Sequence, residues 1–223
     1  MNDPGSVHTA LPRRAVCNRC LRPERTCLCA FVVPTANEVS VLVLQHPLEE
    51  AQAKGSARLL QLSLQRCILM VGETWDAPVL QQVLDAPGPD GQALSNVLLY
   101  PESNPETHTT AHQARAVSPN HPLEPFEPSA PAAHLRLIVL DGTWRKSLKM
   151  LHLNPALARL PRLALSAQAP SRYLIRKAHR PDQLSTLEAT CLALGQLENQ
   201  TARYVLLRQA FDRFVGAQRT FSA

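Results

Sequence analysis

An α/β fold built on a mainly parallel sheet is predicted by three observations. Four short apolar runs, at 39–44, 67–71, 96–100 and 135–140, read as buried strands. Segments with helical hydrophobic spacing alternate with them. Each run stops at a breaker: His46-Pro47, Gly72, Tyr100-Pro101 or Asp141-Gly142.

The elements are justified in order along the chain. Four of the six cysteines open it, as Cys17-x2-Cys20 and Cys27-x-Cys29. Two such pairs can place four thiolates on one tetrahedral ion, and nearby arginines help to hold the thiols ionised. All four positions would then be sulfur, so the metal, expected to be zinc, is structural and has no open position for catalysis. Disulfides and free thiols are the alternatives, the former disfavoured in a cytosolic chain. Strand 39–44 ends before Pro47. Residues 52–66 read as an amphipathic helix with Leu59, Leu60, Leu62 and Leu64 turned wholly or partly inward. A second strand, 67–71, is stopped by Gly72. A short helix at 78–84 precedes the turn signal at 87–91, and a third strand follows at 96–100. Prolines at 119, 122, 125, 128 and 131 give 118–133 a three-residue period, read as a polyproline II linker over the surface. Strand 135–140 leads straight into Asp141-Gly-Thr-Trp144 and a helix at 145–153, closed near Asn154-Pro155. Short strands are expected at 162–165 and 172–175, a long helix at 185–199 and a last one at 201–217. That last helix places Tyr204, Leu207, Phe211, Phe214 and Val215 on one stripe. Cys67 and Cys191 sit in apolar stretches and are expected in the core.

Composition narrows the function classes. The 223 residues are 45% hydrophobic, which excludes a disordered chain. No apolar run reaches the roughly 18 residues of a membrane span, and no secretory leader is evident, so the expected compartment is the cytoplasm. The net charge of +5 hides strong segregation. Segment 141–180 holds nine basic side chains against Asp141 alone, a net of +8, while 71–135 carries a net of −7. The first 30 residues carry +3. Such blocks supply a phosphate-binding surface or are simply solvated helix faces.

Ligands of parallel α/β folds bind beyond the C-terminal ends of the strands. Asp141 stands there, after an apolar strand and before Gly142. A carboxylate in that place acts as a general base, holds a cationic ligand, or caps the following helix, a task Thr143 could take instead. Ser185-x-x-Glu188 matches a capping box, which also turns backbone amides toward the preceding loop. Trp144 either stacks on a ring or packs. Arg172, Arg176, Lys177 and Arg180 form a basic loop before that helix. The eight histidines have no metal-binding spacing; His46, beside Pro47, is the one to watch.

Taken in order, these motifs resemble the DTW-domain family, the bacterial tRNA-uridine aminocarboxypropyltransferases. The resemblance rests on the four cysteines, His46-Pro47 with Lys54-Gly-Ser-Ala-Arg58, Leu99-Tyr-Pro101, Asp141-Gly-Thr-Trp144, Ile175-Arg-Lys177 and Leu184-Ser-Thr-Leu-Glu-Ala189. The chain departs from the family pattern at Lys54-Gly-Ser and in the proline-rich 118–133, which looks like a variable insertion.

The resemblance implies a SPOUT-like catalytic domain with a C-terminal knot over 35–223, after a cysteine knuckle at 1–34. It also implies S-adenosylmethionine as substrate, with its aminocarboxypropyl group passing to N3 of a uridine in the tRNA variable loop and methylthioadenosine leaving. Asp141 would be the general base. Leu99, Tyr100, Pro101, Gly142, Thr143, Trp144, Leu184, Ser185, Thr186 and Glu188 would form the cofactor pocket. Arg19, Arg22, Arg25, Lys54, Arg58, Arg145, Lys146, Arg172, Arg176, Lys177 and Arg180 would contact tRNA, and Cys17, Cys20, Cys27 and Cys29 would hold zinc. No membrane or protein partner is expected. The rivals are an RNA methyltransferase on the same fold and a zinc-knuckle RNA-binding protein without turnover. An aromatic content of 4% disfavours the stacking platform that a binding module needs.

Overall fold

The computed structural model describes residues 15–50, 52, 55–101, 126, 130–165 and 184–220, with side chains to 218. In chain order, β1 (Ser40–Gln45) is followed by α1 (Pro47–Glu50), α2 (Ala57–Ser63), β2 (Cys67–Val71), α3 (Ala77–Asp85) and β3 (Ser95–Leu99). Then come β4 (Leu135–Asp141), α4 (Trp144–Leu153), α5 (Pro155–Ala158), β5 (Arg162–Leu163), α6 (Thr186–Leu197) and α7 (Val205–Thr220). The strands form one parallel sheet in the order β2-β1-β4-β3-β5. The expected α/β architecture is present.

Alternation along each strand sorts the core into two layers. Val41 and Val43 of β1 and Leu137 and Val139 of β4 pack with α2, α6 and α7 through Leu59, Leu60, Leu187, Leu194, Leu207 and Phe214. Leu42, Leu44, Ile138 and Leu140 face the other way, onto Leu80 and Leu84 of α3, Met150 and Leu151 of α4 and Leu157 of α5. A sheet covered on both faces explains why its strands read as near-continuous apolar runs.

Three expectations need correction. The helix expected over 52–66 is only α2, with α1 separate before it. Thr35 lies beside the end of α2, its N–H donating to the Ser63 carbonyl at 2.7 Å and its carbonyl accepting from the Gln65 N–H at 3.1 Å. That pairing draws Leu64 out of the helix, although its side chain still turns inward. The last helix begins as a single 3-10 turn, Thr201–Tyr204, before α7. Asn199, at φ 53°, ends α6 in the left-handed region that asparagine tolerates. Cys67 is partly buried against the core rather than inside it, whereas Cys191 is buried. Burial pushes both thiols up to about 12. The strand expected at 172–175 lies outside the described residues, as do 118–125 and 127–129 of the proline-rich segment.

A buried carboxylate fastens one end of the sheet. Glu198, at the end of α6, accepts from the Glu38 and Val39 N–H groups at 2.8 and 3.0 Å through Oε1. Its Oε2 accepts from the Tyr204 hydroxyl at 2.6 Å and from Arg203 at 2.8 Å. Among the described residues no helix is long and apolar enough to cross a membrane.

Candidate active site and cysteine cluster

β1 and β4 lie side by side, and their onward connections leave on opposite faces, through α2 and through α4 with α5. Such a switch point opens a crevice beyond the strand ends. The last pair in register there is Gln45 and Asp141. Asp141 is buried. Gln45 Nε2 donates to its Oδ2 at 2.7 Å, and the Thr186 hydroxyl donates to its Oδ1 at 2.6 Å. The carboxylate is thus gripped by β1 and by the first residue of α6. Burial raises its pKa above the ordinary range, and the two donated hydrogen bonds pull the other way. Asp141 does not cap α4. Thr143 occupies the N-cap position, without a side-chain hydrogen bond to the helix.

His46 follows Gln45, and its N–H donates to the Asp141 carbonyl at 2.9 Å. His46 Nδ1 accepts from the Leu48 N–H at 3.1 Å, so in the neutral ring the proton sits on Nε2 and is donated to Glu73 at 2.9 Å. Glu73 also pairs with Lys149 at 2.9 Å. Lys149 and then His46 hold its carboxyl below the usual range. Asn154, buried at the end of α4, donates to the Glu73 carbonyl at 3.0 Å and accepts from the Trp75 N–H at 3.1 Å. Lys146 pairs with Glu49 at 2.6 Å. These links tie α4 to the loops after β1 and β2. Gly142 is packed closely: a Cβ there would meet the Lys146 Cβ at 3.2 Å.

On the other side of the rim, Trp144 stacks on Tyr100 with ring centroids 4.9 Å apart and planes 6° from parallel. Tyr100 is buried and Trp144 stays largely exposed. The Arg162 guanidinium lies 5.0 Å from the Tyr100 ring centroid and donates to the Pro101 carbonyl at 3.3 Å. Leu99 is half-buried and Pro101 exposed. Leu184 is half-buried beside the capping box, whose two bonds are both formed: Ser185 Oγ accepts from the Glu188 N–H, and Glu188 accepts from the Ser185 N–H. Thr186, expected at the cofactor, is spent on Asp141.

The expected RNA contacts are dispersed. Arg19, Arg25 and Arg145 are exposed. Arg22 packs on the Phe214 ring at 5.5 Å and donates to the Gln52 carbonyl at 3.3 Å. Arg58 donates to Gln61 at 2.6 Å, and Lys146 is held by Glu49. Lys54, Arg172, Arg176, Lys177 and Arg180 lie outside the described residues. Sequence reasoning missed Gln45, Glu49, Glu73, Asn154 and Arg162 as members of this neighbourhood. Only Gln45 left a signal: a polar residue closing an apolar strand, just as Asp141 does.

Cys17, Cys20, Cys27 and Cys29 bring their sulfurs within 4.8 Å of one another. Cys17 and Cys29 are 3.7 Å apart, as are Cys20 and Cys27. Zn–S bonds of about 2.3 Å at tetrahedral angles require sulfurs ~3.8 Å apart, so the donor set fits such an ion. The local fold brings them there: the Cys17 N–H donates to the Arg22 carbonyl, and Leu21, at φ 59°, turns the chain. Backbone N–H groups of Cys20 and Arg19 bring Cys17 down to about 6, while burial pushes Cys29 up to about 12.

The DTW domain matches residues 14–219. The chain is 31% identical over 196 residues to the tRNA-uridine aminocarboxypropyltransferase 2 of Drosophila melanogaster, covering 84% of this chain and 68% of that protein. It is 30% identical over 202 residues to the protein of the same name in Mus musculus, covering 88% of this chain and 61% of that one. To tRNA-uridine aminocarboxypropyltransferase A of Arabidopsis thaliana it is 27% identical over 218 residues, 89% of this chain and 77% of the relative. No solved structure matches.

Proposed function

The chain belongs to the DTW-domain family, and from that premise we propose that it transfers the 3-amino-3-carboxypropyl group of S-adenosylmethionine to N3 of a uridine in tRNA. The relatives' names support the reaction. The observation that carries the reading is Asp141, in the family's Asp-Gly-Thr-Trp segment, held at the sheet's switch point by Gln45 and Thr186. The variable loop as target, a SPOUT-like fold with a C-terminal knot, and cytoplasmic action belong to the same reading. So does the division into a knuckle at 1–34 and a catalytic domain at 35–223. The all-parallel sheet supports a SPOUT-like fold.

Bound S-adenosylmethionine supplies an electrophilic Cγ carbon on a sulfonium. The N3–H of uridine is weakly acidic and must lose its proton. Asp141 accepts it, and the desolvation that raises its pKa also raises its basicity. The N3–Cγ bond forms as the Cγ–S bond breaks, and the electron pair stays on sulfur as neutral methylthioadenosine leaves. The leaving group needs no acid, so the remaining task is alignment. Gln45 and Thr186 fix the carboxylate on two elements. The Tyr100–Trp144 stack gives a rigid aromatic surface on which a flipped-out or adenine ring can lie. The four cysteines would hold zinc as a structural ion and take no part in the transfer.

The test is incubation with S-adenosylmethionine and unmodified bulk tRNA, digestion, and mass spectrometry of the nucleosides. An aminocarboxypropyl-uridine with released methylthioadenosine is expected. A methylated nucleoside with adenosylhomocysteine would overturn the reaction, and absence of both product and cofactor binding would favour a binding module. Asp141→Ala is expected to abolish transfer while tRNA binding persists; near-wild-type turnover removes Asp141 from the chemistry.

A further inference from the structure

Two arginines are buried on the sheet, and they are satisfied very differently. Arg136 of β4 donates to the carbonyls of Val83, Leu84 and Ala86 at 2.7, 2.9 and 2.6 Å. Those are the open carbonyls at the C-terminal end of α3, where the helix dipole favours a cation. Its charge has a complete structural explanation.

Arg162 of β5 is met only in part among the described residues. It is 9% exposed, yet its side chain's only hydrogen bond among the described residues is the 3.3 Å contact to the Pro101 carbonyl. Its Nε is buried without a partner, and so is the hydroxyl of Tyr100, on whose ring the guanidinium rests. No carboxylate pairs with it among the described residues. A buried guanidinium with an unsatisfied N–H, beside an unsatisfied hydroxyl, is costly unless something else completes it. Both groups flank the Tyr100–Pro101 turn at the end of β3. The register Leu98↔Ile138 brings that end alongside the end of β4, so they share one rim with Asp141.

We propose that Arg162, with the Tyr100 hydroxyl, recognises the α-carboxylate at the amino-acid end of the donor. The inference rests on the proposed reaction, whose transferred group carries that carboxylate. A planar guanidinium fork matches a carboxylate. A phosphate of the tRNA backbone has the same charge, but such contacts suit exposed cations, as Arg19 and Arg145 are. Arg162 is recessed behind Tyr100 and suits a small anion. Arg162 is thereby a specificity-determining residue.

The experiment is calorimetric binding of S-adenosylmethionine and of its decarboxylated form, which keeps every other group. Wild-type protein is expected to prefer the carboxylated ligand by roughly 10- to 100-fold, the range of a charge-assisted hydrogen bond. Arg162→Gln is expected to erase that preference and leave affinity for the decarboxylated ligand unchanged, with Arg162→Lys restoring part of it. Should Arg162→Gln fail to fold, Tyr100→Phe removes only the hydroxyl and is expected to lower the preference several-fold. Equal loss for both ligands, or an undiminished preference, overturns the proposal. A weakened, less salt-dependent affinity for tRNA with the preference intact overturns it too, in favour of a phosphate contact. A methylated nucleoside in the transfer assay would sink the proposed reaction while leaving this preference measurable. Wild-type protein that binds neither ligand removes both.

Discussion

Asp141 loses its water on folding, and two hydrogen bonds return only part of what water supplied. Its raised pKa means that the folded state keeps the proton to higher pH than the unfolded state does. Stability is therefore lost as pH climbs from the ordinary carboxylate range through the raised value. Asp141→Asn removes that loss and can still accept from Gln45. The variant is expected to melt at a higher temperature than wild type near neutral pH, to show no advantage in acid, and to be inactive. Melting curves between about pH 4 and pH 8 check this. The residue itself was legible from its place after an apolar run. Its partners were not, because Gln45 and Thr186 lie 96 and 45 residues away and carry no local mark of the meeting.

At the scale of elements, caps and breakers proved more readable than lengths. The capping box of α6 was visible as Ser185-x-x-Glu188, since both of its bonds are local. The end of α2 was not, because the leucine spacing runs on through Leu64 while Thr35, far upstream, pairs with the chain there. The C-terminal end of α3 was also hidden, as its cap comes from another strand. Arg136→Leu strips the Val83 and Ala86 carbonyls of their donor, Leu84 keeping the Asn96 amide, and is expected to cost about 2–4 kcal/mol in chemical denaturation. The same substitution should leave the carboxylated-ligand preference untouched, since Arg136 points at α3 rather than at the rim.

Across the whole molecule, the cysteine module is part of the core rather than an independent bead. Cys20 and Leu28 are buried with the α6 and α7 side chains. Phe31 meets Phe214 edge-on at 5.5 Å, and Arg22 lies over the same ring. Elemental analysis of freshly purified protein is expected to find roughly one zinc per chain. Stripping it with a chelator should lower the melting temperature of the entire chain in a single transition, because the knuckle and α7 share their packing. A separate early transition, with the main one unmoved, would show that the knuckle melts alone.

The sequence by itself determined where β1–β5 and the helices α3, α4 and α6 run, the α/β class, the four-sulfur group and the placing of Asp141 at a strand end. All of these are written in local spacing: periodicity, breakers and short-range caps. Only the tertiary structure decided the strand order, and with it the switch point where Gln45 lies beside Asp141. It also decided that Arg22, Arg58 and Lys146 have partners inside the protein. It left Arg162 buried and incompletely met. The physical reason is that burial and pairing across a sheet depend on which distant segments pack together. Side-chain spacing along one segment carries no record of that choice.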